Sequence, residues 1–201
     1  MIYWKKGAMT MVNYPNKKGS FQRAKVGHSN RGMSFESMIN ESNDYYVSNN
    51  IANIHKKPIP IQIVKVDYPS RAGAVIKEAY YKVPSTTDYN GIYKGFHIDF
   101  EAKETINKTS FPLSNIHTHQ IEHLINIKKH GGISFLLIFF KAKDEIYLLE
   151  TNYLEEFFIR SASGRKSISY TELQVCGHLV KEGIAPRVDY LKIVDKLVKK
   201  A

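Results

Sequence analysis

One cysteine, Cys176, stands among 201 residues. A lone thiol closes no internal disulfide and suits a reducing compartment, so the chain reads as cytoplasmic, with Cys176 a small packed hydrophobe. No run of 18 apolar residues occurs. The longest, Ile133 to Phe140, has the length of a buried strand, which excludes a membrane-spanning helix and a membrane partner. The first lysines are followed by no apolar stretch, so no secretory signal is read. Internal repeats are lacking, as is any linker that would separate one domain from another. Acidic residues are scarce: 19 Asp and Glu face 29 Lys and Arg, a formal net charge of +10. Such a balance points to a polyanionic partner, nucleic acid above all.

What is present begins with a basic segment. The first acidic residue is Glu36, and before it stand Lys5, Lys6, Lys17, Lys18, Arg23, Lys25 and Arg31. Residues 1–32 therefore read as a flexible basic arm drawn to phosphate, and residues 33–201 as one folded domain with length enough for a core. Met11 could itself be a start, leaving residues 1–10 as an extension. A helix is predicted from Ser34, its N-cap, to about Asn49. Glu36 either looks inward at a site or serves that helix as a first-turn acid. Ile51–Ile54 and Pro60–Val66 read as strands, Tyr68–Gly73 as a turn, and Ala74–Val83 as a returning strand. In this stretch Lys56, Lys57, Lys65, Arg71, Lys77 and Lys82 outnumber Asp67 and Glu78. A basic hairpin of this kind can meet phosphates while a tyrosine such as Tyr80 stacks on an unpaired base. An ordinary surface hairpin would carry the same composition.

The chemistry is concentrated between Thr86 and Lys103. Phe96 to Lys103 alternates, placing Phe96, Ile98, Phe100 and Ala102 on one strand face and His97, Asp99, Glu101 and Lys103 on the other. Upstream, Asp88-Tyr89-Asn90-Gly91 carries turn residues and Lys94-Gly95 a second reversal, which would return Asp88 towards Glu101. Two carboxylates are a common minimal protein contribution to magnesium, a hard cation that keeps several waters. Lys103, two residues beyond Glu101, can orient water or stabilise charge on an attacked phosphate. In a basic chain, Asp88, Glu101 and Lys103 read as the catalytic group of a magnesium-dependent nuclease. A solvated strand edge with alternating Glu and Lys is the plainer alternative.

Downstream, a helix is predicted from about Asn115 to Lys129, stopping at Gly131-Gly132. Gln120 falls inside its buried stripe, where a polar amide must find partners that a carboxylate–metal site would supply. His119 and His123 have metal-binding spacing, yet no cysteine or third ligand accompanies them, so they read as exposed residues near a nucleic-acid surface rather than zinc ligands. Ile133–Phe140 is a central strand, Glu145–Glu150 its hairpin partner, Tyr153–Ile159 and Thr171–Gly177 short helices, and Val188–Lys199 an amphipathic terminal helix. The fold class is α/β: a mixed central sheet flanked by helices, with a protruding basic hairpin.

Long motifs then meet a known family. Asn30-Arg31-Gly32-Met33, Ile54-His55-Lys56-Lys57-Pro58, Thr86-Thr87-Asp88-Tyr89-Asn90-Gly91, Asp99-Phe100-Glu101-Ala102-Lys103-Glu104-Thr105, Lys108-Thr109-Ser110-Phe111-Pro112-Leu113, His119-Gln120-x-Glu122-His123 and Ala185-Pro186-Arg187-x-Asp189-Tyr190 resemble the RecU Holliday-junction resolvases of Gram-positive bacteria. The resemblance runs from Asn30 onward. It implies a restriction-endonuclease-like nuclease fold, a homodimer, and magnesium-dependent paired nicking of four-way DNA junctions in recombination and repair, with manganese as a substitute ion and recombination proteins as further partners. It further implies Thr86, Asp88, Glu101 and Gln120 at the metal, Lys103 as transition-state stabiliser, residues 59–82 as a stalk reaching into the junction, and Arg31, Lys56 and Arg71 as DNA contacts. The wider superfamily carries Pro before its first Asp; this chain has Thr87, as this branch does. A branched-DNA binder without chemistry, or a magnesium-dependent repair endonuclease for another DNA form, would share the charge and the hairpin.

Overall fold

The computed structural model describes residues 33–70, 73–82 and 86–199. The expected arm over 1–32, with Arg31, and Arg71 lie outside the described residues. In chain order the elements are α1 (Phe35–Ser48), β1 (Asn53–Lys56), β2 (Ile61–Ser70), β3 (Gly73–Tyr81), β4 (Tyr89–Tyr93), β5 (Phe96–Thr105) and β6 (Ser110–Pro112). A 3-10 turn (Leu113–Asn115) leads to α2 (Thr118–Lys129), β7 (Ile133–Phe140), β8 (Glu145–Glu150), α3 (Thr151–Ser161), β9 (Ser167–Ser169), α4 (Tyr170–Cys176), β10 (His178–Val180) and α5 (Leu191–Val198).

Six strands form one mixed sheet in the order β1-β4-β5-β7-β8-β10. Only β5 and β7 run parallel, Glu101 lying opposite Leu136; the other pairs are antiparallel. Every residue of β7 is buried, because its unbroken apolar run serves two cores at once. Phe135, Leu137 and Phe139 join α1 and α5 on one face. Leu136, Ile138 and Phe140 join α2, α3 and α4 on the other. On the first face Tyr89, Phe100 and Phe135 stack in sequence, with ring centroids 4.8 Å apart in both pairs and interplanar angles of 5° and 9°. Each such buried aromatic contributes about 1.5–3 kcal/mol, so the stack fastens the three central strands together.

Helix α1 begins where Ser34 accepts the Ser37 N–H at 3.1 Å, and α2 ends at Gly131, whose φ of +84° suits glycine. Helix α2 starts later than its apolar pattern predicts, because Leu113–Asn115 winds as a 3-10 turn and His117 is still extended.

Asp88-Tyr89-Asn90-Gly91, expected to be a turn, instead leads into β4, and the reversal falls at Lys94-Gly95, both with positive φ. Gly91 sits inside a strand because β1 approaches it closely. A Cβ there would stand 2.0 Å from the Asn53 carbonyl oxygen and 2.5 Å from Ile54 Cα. Gly91→Ala is therefore expected to lower stability by about 1–3 kcal/mol or more, and urea denaturation measures it directly.

The strands β2 and β3 pair only with each other, in an irregular ladder with register shifts between Ile63 and Lys65, Lys65 and Val66, and Asp67 and Ser70. They fall within the expected 59–82, but Tyr68–Ser70 belong to β2 rather than to the turn. Nearly all of this hairpin is exposed, including Ile61, Ile63, Tyr68 and Tyr80. Among the described residues no helix is long and apolar enough to cross a membrane.

Candidate active site

The site grows from the register of β4 on β5. Tyr89 lies opposite Phe100, so the preceding residue, Asp88, comes level with Glu101, and cross-strand neighbours of this kind have Cβ atoms about 5 Å apart. The Asp88 N–H donates to Glu101 Oε2 at 3.0 Å, while the Asp88 carbonyl accepts the Lys57 N–H at 2.7 Å. Lys103, on the same face of β5, puts its Nζ 2.6 Å from Glu101 Oε1. The three sequence-selected residues thus converge.

Glu101 is fully buried. The solvated-edge alternative fails here, since β5 is an interior strand and both Asp99 and Glu101 on its polar face are buried, while His97 is exposed. Burial pushes the Glu101 carboxyl up to about 7; Lys103 pulls it down, and the neighbouring Asp88 raises it again. Its Oε1 faces the Lys103 ammonium at 2.6 Å and, among the described residues, accepts from no other group. A buried carboxylate oxygen faced by an ammonium ion alone, beside a second carboxylate, fits a divalent cation. Among the described residues no three His, Cys, Asp or Glu side chains are gathered for a metal. Such an ion would complete its shell from amide, hydroxyl or water oxygens.

The other candidates sit around this pair. Thr86 lines a cleft of about 330 Å³ with Lys56, Lys57, Pro58, Ile59, Pro60, Thr87 and Asp88. Asp88 also lines a cleft of about 240 Å³ with Ser34, Phe35, Glu36, Tyr89, Ala102 and Glu104. Glu36 belongs to the first turn of α1 and also reaches the site region, where it pairs with Lys56 Nζ at 2.5 Å. Gln120 is buried as its helical position requires. Its amide oxygen accepts the His117 N–H at 3.1 Å in a capping box, and among the described residues no hydrogen bond joins it to Asp88 or Glu101. Tyr80 is exposed on β3 and donates to Glu78 at 2.7 Å.

Sequence reasoning gave no role to Asp99 or Thr87, counted Lys57 among the hairpin cations and read His123 as an exposed residue near nucleic acid. Asp99 is buried with the other three around it. His123, expected to be exposed, is largely covered where α2 crosses β5. The one available signal was that Asp99 shares the strand face of Glu101.

The chain is similar to known proteins over most of its length. The family described as RecU, Recombination protein U, matches residues 30–196. A protein of Bacillus thuringiensis (strain Al Hakam) named Holliday junction resolvase RecU is 53% identical over 193 residues, covering 92% of this chain and 96% of that protein. A Bacillus anthracis protein of the same name matches with the same identity and coverage. A solved structure of an Archaeoglobus fulgidus Holliday junction resolvase, Hjc, gives a TM-score of 0.39 at 9% identity, covering 66% of this chain and 88% of that one.

Proposed function

The chain belongs to the RecU family, and from that premise we propose that it is an endonuclease that resolves four-way DNA junctions by paired, magnesium-dependent nicking during recombination and repair. The observation that carries the chemistry is the buried Glu101 carboxylate level with Asp88, with the Lys103 ammonium 2.6 Å from its Oε1. Thr86, Asp88, Glu101 and Gln120 are the residues proposed to hold the ion, Gln120 through an amide that would have to give up its capping contact. What a divalent cation supplies at such a pair is neutralisation of the phosphate under attack and acidification of water. Lys103 offers a fixed positive charge where the phosphate gains negative charge. The Asp88 backbone is held by Glu101 and by Lys57, which keeps the two acids side by side before substrate arrives.

The remaining features serve placement on DNA. Residues 33–201 are proposed as the nuclease domain, of restriction-endonuclease-like fold, with the basic residues before it adding attraction to phosphate. The hairpin over 59–82 is proposed as the stalk that enters the junction, Tyr80 offering a stacking face and Arg31, Lys56 and Arg71 meeting phosphates. A homodimer in the cytoplasm is proposed as the working form, since two symmetry-related strands call for two equivalent centres. Manganese is proposed to replace magnesium, and recombination proteins to act with the dimer.

The direct test incubates the purified protein with a synthetic four-way junction and with linear duplex, with and without Mg2+. Symmetric nicks confined to the junction and dependent on the ion support the reading; tight binding with no cleavage under any divalent ion sinks it in favour of an architectural binder. Lys56→Ala is expected to weaken junction binding and reduce its log–log salt slope by about 1, as measured by fluorescence anisotropy across a salt series. An unchanged slope removes Lys56 from the phosphate contacts and leaves it as the partner of Glu36.

A further inference from the structure

We propose that Asp99 is a positioning residue for this site: it fixes Asp88 beside Glu101 by way of Thr87 and Lys57, while touching neither the cation nor the DNA. The inference rests on the nuclease reading above.

The carboxylate of Asp99 is enclosed by donors from four segments of the chain. Its Oδ2 accepts from Lys57 Nζ at 2.8 Å and faces His123 Nε2 at 3.2 Å and His97 Nε2 at 3.5 Å. Its Oδ1 accepts from the Thr87 hydroxyl. The side chain is 2% exposed. A carboxylate offers about four lone-pair directions, and these contacts engage both oxygens. Glu101, two residues on, has fewer partners: its Oε2 accepts the Asp88 N–H, and its Oε1 faces the Lys103 ammonium alone. Two carboxylates on one strand face therefore divide the work. One is left available for a cation, and the other is consumed by the protein.

What Asp99 holds is the segment that carries Asp88. Thr87 immediately precedes Asp88. Lys57 Nζ donates to the Thr87 hydroxyl at 2.9 Å, and the Lys57 N–H grips the Asp88 carbonyl. Asp88 is thus fastened through its own carbonyl, through the residue before it, and through its N–H on Glu101. Lys57 also begins the Pro58-Ile59-Pro60 segment that leads to the hairpin, and His123 belongs to α2, one turn beyond Gln120. A buried charge is tolerated only when paired and hydrogen-bonded, so this arrangement holds as a unit. Removing one member leaves the others with unmet bonds.

Two substitutions test it. Asp99→Asn keeps the shape and one acceptor but loses the charge; Thr87→Val removes the hydroxyl at nearly constant shape. Each variant, with the double variant, is melted thermally, titrated with Mn2+ by calorimetry, bound to a four-way junction in Ca2+, and followed through single-turnover nicking. The expected result is junction affinity unchanged within about twofold, an unchanged number of Mn2+ bound, and Mn2+ affinity or nicking rate lowered about 10- to 100-fold. The double variant should be no worse than the poorer single one, because both remove one tether. Loss of a bound Mn2+, as for a direct ligand, overturns the proposal; so does wild-type Mn2+ affinity and rate, or additive effects of the two changes. If Asp99→Asn fails to fold, Thr87→Val alone carries the test. If the wild-type protein never nicks the junction, the nuclease reading falls, while the Mn2+ titrations still report on the placement of Asp88.

Discussion

Replacing Asp88 with alanine is expected to reduce magnesium-dependent nicking of a four-way junction by about 10³-fold or more, with junction affinity within about threefold of wild type. The specificity of that loss comes from which atoms the substitution removes. Two of the contacts that hold Asp88 in place are made by its backbone, the N–H to Glu101 and the carbonyl from Lys57. Both survive in alanine. Asp88 is also partly exposed on the rim of two clefts, so no cavity opens in the core. What disappears is one of two negative charges at the cation site, which binding to a polyanion does not need. Single-turnover cleavage and anisotropy on the same protein preparation separate the two quantities. Parallel loss of both would make Asp88 a structural residue instead.

The second large effect runs in the opposite direction for stability. Glu101→Gln is expected to stabilise the cation-free protein at pH 8, by on the order of 2 kcal/mol, while abolishing cleavage. The sign follows from the Glu101 carboxyl being pushed up to about 7. Between the ordinary carboxylate range and pH 7 the folded chain holds a proton that the unfolded chain has released. Stability therefore falls as pH rises through that window, and above it the buried charge opposes folding in full. Glutamine keeps an acceptor for the Asp88 N–H and carries no charge, and Lys103, partly exposed, can turn to water. In a domain of this size the gain corresponds to a melting shift on the order of 5 °C, shrinking towards zero near pH 4. Mg2+ should raise the wild-type melting point and leave the variant unmoved. A Glu101→Gln protein less stable than wild type at pH 8 would mean that Glu101 is well compensated, and the cation-site reading would lose its best physical support.

How much of this could be read beforehand depended on whether a feature was local. The β7 run shows in its unbroken apolar stretch, α1 in Ser34 and its stripe, and the β5 faces in strict alternation; each rests on neighbours in sequence. Asn90-Gly91 misled because their turn chemistry is local while their strand is imposed from outside, by β1 closing on a glycine that leaves it room. The convergence of Asp88, Glu101 and Lys103 was readable from spacing. The burial of Asp99 and Glu101 on that face was not, since it depends on what distant segments pack over them, His123 of α2 among them. For the same reason Asp99 passed as one more charge on a wet strand, and His123 as a surface residue. Gln120 was correctly placed inside, but no periodicity discloses that its oxygen closes the helix start.

The aromatic stack behind the carboxylates sets the tolerance of the site. Tyr89 directly follows Asp88 and Phe100 directly precedes Glu101, and their rings lie nearly parallel on the far side of the sheet, with Phe135 continuing the column. Backbone pairing sets the strands about 4.8 Å apart, and the ring column, at the same spacing, braces the two acids from behind against shear between β4, β5 and β7. A genetic screen for lost resolution should return Phe100 and Phe135, residues that share no face with the chemistry, and drift in the family should replace these rings with other flat side chains before it admits aliphatic ones.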